Sequence, residues 1–144
     1  MDPYGLRRVV TPRGALPQRA EVLDPHLPLG EDEVLLDVEA LNVDAASFRQ
    51  LEAAAGGDEG RIAEELLRIV RARGKLHNPV TGSGGMLVGR VREVGPRSPH
   101  AGTLAPGDEV ATLVSLTLTP LALEAVERVD LATDRADVRG HAIV

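Results

Sequence analysis

The stretch HNPVTGSGGMLVGRVREVG, residues 77–95, decides how this chain folds, because it places four glycines within eight residues, before and at the start of a run that is typical of a β-strand. A dinucleotide-binding loop requires G-x-G-x-x-G between a strand and a helix, and a P-loop ends in Gly-Lys-Ser/Thr. Here Leu87 occupies the third glycine position of the first template, and Arg90-Val91 replaces the Lys-Ser/Thr of the second. The glycines therefore indicate a close main-chain approach or a sharp bend into a strand over residues 86–94. They are Gly82, Gly84, Gly85 and Gly89.

Alternation of apolar and polar residues predicts further strands along the chain. Residues 33–40 alternate regularly, residues 109–119 alternate from Leu113 onward, and residues 137–144 are also predicted to form a strand. Residues 121–133 are expected to hold one or two short strands, and residues 1–32 contain five of the ten prolines, which predicts extended segments and turns. The last predicted strand ends on an apolar run without a polar tail, so we expect the chain to be cut short at that point.

Two helices are predicted between the first long strand and residues 81–85, which we call the glycine loop. Asp44 is a suitable N-cap for a helix over residues 45–55, which Gly56-Gly57 would end. Asp58 is a suitable N-cap for a second helix over residues 59–73, which Gly74 would end. An i,i+4 ion pair is expected between Glu64 and Arg68 of that helix. Its basic residues indicate a solvated face, with a binding patch as the alternative; they are Arg61, Arg68, Arg71, Arg73 and Lys75.

Composition excludes several classes of function. The net charge of -6 and the near absence of aromatic residues, with one Tyr, one Phe and no Trp, argue against a nucleic-acid partner. The chain has no cysteine, so disulfides, thiolate metal sites and cysteine nucleophiles are excluded, and its four histidines are too scattered to predict a metal site. No apolar run is long enough to span a membrane and no signal peptide is present, so we expect no membrane partner and a cytoplasmic location.

The order of these features resembles a known family. A strand, Asn42-x-Asp44, a helix, the glycine loop, GRVREVG at 89–95 and GDEV at 107–110 together resemble the N-terminal, GroES-like catalytic domain of medium-chain dehydrogenases and quinone oxidoreductases. The blocks LNVDAASF, GKLHNPVTGSGGML and ATLVSLTLTPL are similar, more specifically, to the L-erythro-3,5-diaminohexanoate dehydrogenase family of lysine fermentation.

The resemblance implies a mainly β fold with a few helices, a GroES-like, partly open β-barrel over residues 1–144. It implies that the chain stops before a C-terminal Rossmann domain that binds NAD in the full-length parent, so that residues 1–144 alone bind no cofactor and are inactive. The implied activity is NAD-dependent oxidative deamination of a diamino acid, in a homo-oligomer. Two alternatives stay open: a stand-alone binding or assembly module on a small β-barrel, and another zinc-free reductase such as a quinone reductase.

Two departures from the wider family affect the expected site. Zinc-dependent members place Cys after the first strand and His-Glu near the glycine loop, whereas this chain has Asn42-Val43-Asp44 and residues 82–85 at those places. Catalytic zinc is therefore not expected. Zinc-free members often carry Asn-x-x-Asp, but the spacing here is Asn-x-Asp, which leaves the role of Asp44 open.

Candidate catalytic and substrate-binding residues lie in two loops. Asp44 is expected to pair with a substrate ammonium or to act as a base, with a purely capping role as the alternative. His77 is expected to be a base or proton shuttle, since an ordinary imidazole titrates near neutrality, and a surface hydrogen bond is the alternative. Asn42 and Ser47 are expected to bind substrate or nicotinamide, with structural roles as the alternative. The remaining candidates would form an anion nest in the wall of a substrate cleft, or else a plain bend into the strand; they are Thr81, Ser83, Gly84 and Gly85.

Overall fold

The computed structural model describes residues 1–144 and consists of two antiparallel sheets and two α-helices. The strands are β1 (Val9–Thr11), β2 (Val22–Leu23), β3 (Val34–Val43), β4 (Gly85–Val94), β5 (Glu109–Ala111), β6 (Leu121–Asp130) and β7 (Arg135–Ile143), and the helices are α1 (Ala45–Ala54) and α2 (Glu59–Arg73). Strands β1 and β2 pair with each other, and the other five form a sheet in the order β5-β4-β3-β7-β6. This sheet does not close, since β5 and β6 remain its edges, and the predicted mainly β, partly open barrel is confirmed.

The long strands and both helices lie close to their predicted positions. The strand predicted at 33–40 continues to Val43, because its inner residues stay buried to the end, and residues 121–133 contain one long strand. Asp44 caps α1 and Asp58 caps α2 through their side chains, as predicted. The expected pair of Glu64 with Arg68 is wrong, because the Arg68 guanidinium bonds to the carboxylate of Glu65, at i,i+3 instead of i,i+4.

The strand predicted at 109–119 is also wrong over most of its length. Only Glu109–Ala111 is a strand, and Leu116–Leu118 forms a 3-10 turn instead. The Ser115 hydroxyl accepts a hydrogen bond from the Thr117 amide and so begins this turn, which buries Leu116 completely. Leu113 is left 96% exposed, so the alternating pattern in the sequence does not correspond to a half-buried strand here.

The core is aliphatic and lies between the large sheet and α2. It contains 22 buried residues, among them the only phenylalanine, Phe48, and the inner face of α2. The residues of α2 that are buried there are Ile62, Leu66, Ile69 and Val70. Helix α1 begins where β3 ends, and this junction brings Asp44 next to the glycine loop. No helix in the protein is both long enough and apolar enough to cross a membrane.

Candidate functional site

The side chains of Asp44, Ser47, Thr81 and Ser83 form one hydrogen-bonded cluster at the beginning of α1. The Ser83 hydroxyl donates to Asp44 Oδ1 at 2.9 Å. The Ser47 hydroxyl lies 2.7 Å from the hydroxyls of both Thr81 and Ser83, and those two are 3.1 Å apart. Four of the eight predicted site residues are thus brought together from two segments that are far apart in the sequence.

The geometry of Asp44 leaves one carboxylate oxygen available. Oδ1 accepts from the amides of Ala46 and Ser47, at 3.0 and 3.3 Å, in addition to the hydroxyl of Ser83. These bonds satisfy the first turn of α1, which is the capping role expected of an aspartate at this position. Oδ2 has no hydrogen bond within the protein, and the residue is exposed. Asp44 can therefore cap the helix and bind a cation at the same time.

The loop that carries Thr81 and Ser83 is shaped by Asn78, a residue that the sequence analysis did not single out. Asn78 is 1% exposed, and its Oδ1 accepts from the amides of Val80 and Thr81 at 2.8 and 3.3 Å. Its Nδ2 donates to Oε1 of Gln50 on α1 at 2.9 Å. The Asn-Pro dipeptide was the available signal, because Asn before Pro favours such a side-chain turn.

Three of the four glycines in this stretch face protein main chain, whereas Gly82 has open space beside it. A Cβ on Gly84 would lie 2.4 Å from the carbonyl oxygen of Leu76, and a Cβ on Gly85 would lie 2.1 Å from that of Asn42. Gly89 is equally tight, at 2.3 Å from the carbonyl oxygen of Asp37. These contacts correspond to the close main-chain approach that was one of the two interpretations of the glycines. They place the Asp44 cluster at the point where the loop enters β4.

Asn42 lies apart from this cluster. Its exposed side chain lines a polar depression on the outer face of the sheet, together with residues of β6, β7 and the turn between them. These are Arg128, Asp130, Thr133, Arg135 and Asp137. The side chains of Asn42 and Asp44 diverge because β3 ends at Val43 and the chain then turns into α1.

His77 is half-buried and differs from an ordinary surface histidine. Burial, followed by the charges of Lys75 and Arg73, lowers its pKa to about 4, so the imidazole is neutral at physiological pH. Its Nδ1 atom is buried without a hydrogen-bond partner. The predicted role of His77 as a base depended on a pKa near neutrality. In this environment the pKa is well below neutrality.

Lys75 is buried, although it was predicted to lie on a solvated helix face. It was grouped with the solvated face of α2, but its side chain is fully buried, and burial together with the Arg73 charge lowers its pKa to about 8. It follows the left-handed Gly74, so it no longer lies on the helix surface. The signal that could have found it is its uniqueness, since it is the only lysine beside fifteen arginines.

Comparison with known proteins places these residues in a family. The model for the N-terminal domain of L-erythro-3,5-diaminohexanoate dehydrogenase matches residues 7–144. The L-erythro-3,5-diaminohexanoate dehydrogenase of Acetoanaerobium sticklandii is 46% identical over 141 residues, which cover 98% of this chain and 41% of the relative. The enzyme of that name from Fusobacterium nucleatum subsp. nucleatum is 44% identical, with the same coverage. The chain thus spans about two-fifths of the length of the curated relatives it matches.

Proposed function

Because the chain belongs to the family of L-erythro-3,5-diaminohexanoate dehydrogenase N-terminal domains, we propose that it is the substrate-binding part of an NAD-dependent oxidative deaminase. The proposed reaction converts 3,5-diaminohexanoate to 5-amino-3-oxohexanoate and releases ammonia. A diamino acid of this kind carries two ammonium groups and one carboxylate, so its site requires at least one anionic group that a ligand can reach.

The observation that supports this proposal most directly is the free oxygen of Asp44. Oδ1 is held by Ser83 and by the first turn of α1, which fixes the carboxylate, while Oδ2 is open to an ammonium donor. A charge-assisted hydrogen bond to a carboxylate that is already positioned is roughly twice as strong as a neutral one. Asp44 accordingly binds a substrate ammonium in the proposed site.

The hydroxyls next to Asp44 offer a path for a proton. An ammonium has no lone pair, so it must lose a proton before the carbon that bears it can be oxidised. Ser83, Ser47 and Thr81 form a chain of short hydrogen bonds that starts at the Asp44 carboxylate and ends at the exposed Thr81. Each hydroxyl can accept one proton and pass on another, so this chain can carry a proton from the carboxylate toward solvent.

The coenzyme is not expected to bind these residues through its phosphates. The glycine loop is the only part of the chain with a spacing near that of a phosphate loop, and main-chain carbonyls fill the space beside Gly84, Gly85 and Gly89. The residues present therefore do not fit a dinucleotide, and we propose that NAD, which accepts the hydride, is bound by the rest of the intact protein. Residues 1–144 alone are then inactive.

The experiment that tests the proposal is an assay of the intact protein for NAD-linked oxidation of 3,5-diaminohexanoate, with NAD(P)H-linked quinone reduction measured in parallel. Asp44→Asn keeps a capping side chain and removes the charge, so we expect KM for the diamine to rise about tenfold or more. Asp58→Asn makes the same change at the cap of α2 and is expected to leave KM unchanged. Quinone reduction without turnover of the diamine would refute the proposed reaction.

A further inference from the structure

Lys75 is a buried cation without a carboxylate partner. Its Nζ donates to the carbonyl oxygens of Pro17 and Thr117, both at 2.8 Å, and the residue has 0% exposure. Buried charges in proteins are normally paired, because the low dielectric of the interior makes an unpaired charge costly. Two neutral carbonyls satisfy the donors of Lys75 but do not cancel its charge.

Arg73, which is only partly buried, is a second cation without a carboxylate partner, and it contacts the main chain of His77. Its Nε donates to the carbonyl oxygen of Glu21 at 2.9 Å and its Nη1 to that of His77 at 2.7 Å. The arginines on the outer face of the sheet differ, because they form ion pairs with carboxylates; examples are Arg90, Arg92 and Arg139. The C-terminus of α2 offsets part of the charge of Arg73, but no side chain of the protein neutralises it.

His77 lies in the field of these two cations. Lys75 and Arg73 are the charged groups that act on it, both are positive, and they add to the effect of burial on its pKa. The imidazole is partly accessible to solvent, while its buried Nδ1 has no partner. A bound anion would relieve the repulsion between the two cations and the protonated ring.

The segments that carry His77 and Asp44 both contact Gly84. The carbonyl oxygen of Leu76, the residue before His77, is 2.4 Å from the position that a Cβ of Gly84 would take. On the other side, the Asp44 amide donates to the carbonyl oxygen of Gly84 at 2.8 Å. Gly84 thus connects the segment of a carboxylate that a ligand can reach with the segment on which the charges of Lys75 and Arg73 act.

We propose that the carboxylate of the amino acid substrate binds at His77, in the positive field of Arg73 and Lys75, while a substrate ammonium binds Asp44. This inference rests on the function proposed above and assigns each end of the substrate to one of the two segments that contact Gly84. It differs from the anion nest expected from the sequence, because the hydroxyls of Thr81 and Ser83 are already engaged with each other and with Ser47. The bound carboxylate favours uptake of a proton from solvent by the imidazole, and the imidazolium then donates a hydrogen bond to the carboxylate.

Titration of the imidazole by NMR in the intact protein tests this assignment without depending on turnover. The probes are 3-aminobutanoate, which has a carboxylate, and 1,3-diaminobutane, which has none. We expect saturating 3-aminobutanoate to raise the pKa of His77 from about 4 toward or above 6.5, and 1,3-diaminobutane to leave it unchanged. The His77→Gln variant identifies the resonance. An unchanged pKa, an equal response to both probes, or no binding of 3-aminobutanoate would overturn the inference.

A pair of charge variants on α2 tests whether the charge of Arg73 helps to bind the carboxylate. Arg73→Gln removes the charge beside His77, and we expect the dissociation constant of 3-aminobutanoate to rise about fivefold. Arg71→Gln removes an exposed charge two residues earlier and is the matched control, with less than a twofold effect expected. Equal effects of the two variants would contradict the role of Arg73.

The outcomes separate this inference from the proposed reaction. If the His77 resonance responds to 3-aminobutanoate and the protein does not oxidise 3,5-diaminohexanoate, the carboxylate site stands and the proposed reaction fails. If the diamine is oxidised and His77 does not respond, the reaction stands and the carboxylate binds elsewhere.

Discussion

At the scale of single residues, Asp44 shows that a structural and a functional role need not compete. One of its oxygens completes the first turn of α1, and the other is free. The structural bonds hold the carboxylate in one orientation, which lowers the side-chain entropy that Asp44 would lose when a ligand binds. Capping therefore prepares the residue for a cation instead of excluding that role.

His77 makes the stability of the protein depend on pH. Burial and two neighbouring cations lower its pKa to about 4 in the folded protein, against 6.5 for a free imidazole. Between these values the unfolded chain binds a proton that the folded protein does not, so His77 makes stability rise with pH from about 4 to 6.5. Above this window the imidazole is neutral in both states and has no effect.

We therefore predict that His77→Gln reduces the loss of stability on acidification. The expected reduction between pH 7 and pH 4 is about 1–2 kcal/mol, after allowance for solvent screening of a half-buried group. Urea unfolding of the two proteins across this range measures it. His100→Gln removes an exposed histidine and is the matched control. The same pH dependence in the parent and in His77→Gln would show that the folded protein does not resist protonation of His77.

At the scale of elements, the end of α2 determines how the helix meets the N-terminal segment. Gly74 has a φ of 64°, and a Cβ at this position would lie 1.9 Å from the carbonyl oxygen of Leu23 in β2. We predict that Gly74→Ala lowers the free energy of unfolding by about 3 kcal/mol or more, because left-handed strain and a main-chain clash add together. Gly57→Ala has the same kind of strain, with a φ of 76°, but no atom within 4 Å.

Denaturant unfolding of both variants separates the two causes. Gly57→Ala is expected to cost about 1 kcal/mol, which is the left-handed strain alone. An equally small loss in Gly74→Ala would mean that β2 moves aside freely and that α2 does not hold it.

The elements that could be predicted from the sequence are those whose signals are local. The cap of α1 at Asp44, the end of α2 at Gly74 and the alternation in β3 each depend on a few neighbouring residues. Residues 113–119 alternate just as clearly, yet they form a turn because Ser115 caps it and the Thr117 carbonyl bonds to Lys75. That bond joins residues 42 positions apart, so no local pattern reports it.

The candidate site also contains residues with local signals and residues whose properties depend on long-range contacts. Asp44 and the hydroxyls of the glycine loop could be predicted from residue type and from their place at element ends. The burial of Lys75 depends on the carbonyls of Pro17 and Thr117, and the pKa of His77 depends in turn on Lys75. Asn42 illustrates the reverse error, because it is only two residues from Asp44 in the sequence, yet its side chain lines a depression that does not include Asp44.

At the scale of the whole molecule, a buried ion pair holds residues 1–32, in addition to the bonds that Lys75 and Arg73 donate to the carbonyls of Pro17 and Glu21. Their own apolar cluster has only three buried members, Val9, Ala20 and Leu23. Arg8 joins this segment to the sheet, with Nε and Nη2 donating to the two carboxylate oxygens of Glu33 at 2.9 and 2.6 Å. Burial raises the pKa of Glu33, but hydrogen bonds from Arg8 and the Gly30 amide outweigh that effect and hold it below its usual value.

We predict that Arg8→Met releases this segment from the sheet. The variant leaves the Glu33 carboxylate buried without its partner, a change that typically costs about 3–5 kcal/mol. Trypsin measures the release locally, because Arg13 and Arg19 are exposed cleavage sites within the segment, and cleavage there should accelerate before the rest of the chain is cut. Arg97→Met removes the exposed ion pair with Glu31 and is expected to cost less than about 1 kcal/mol, with cleavage unchanged. Equal cleavage of the two variants would mean that prolines and apolar contacts hold the segment. The Arg8–Glu33 pair would then not be needed to hold it.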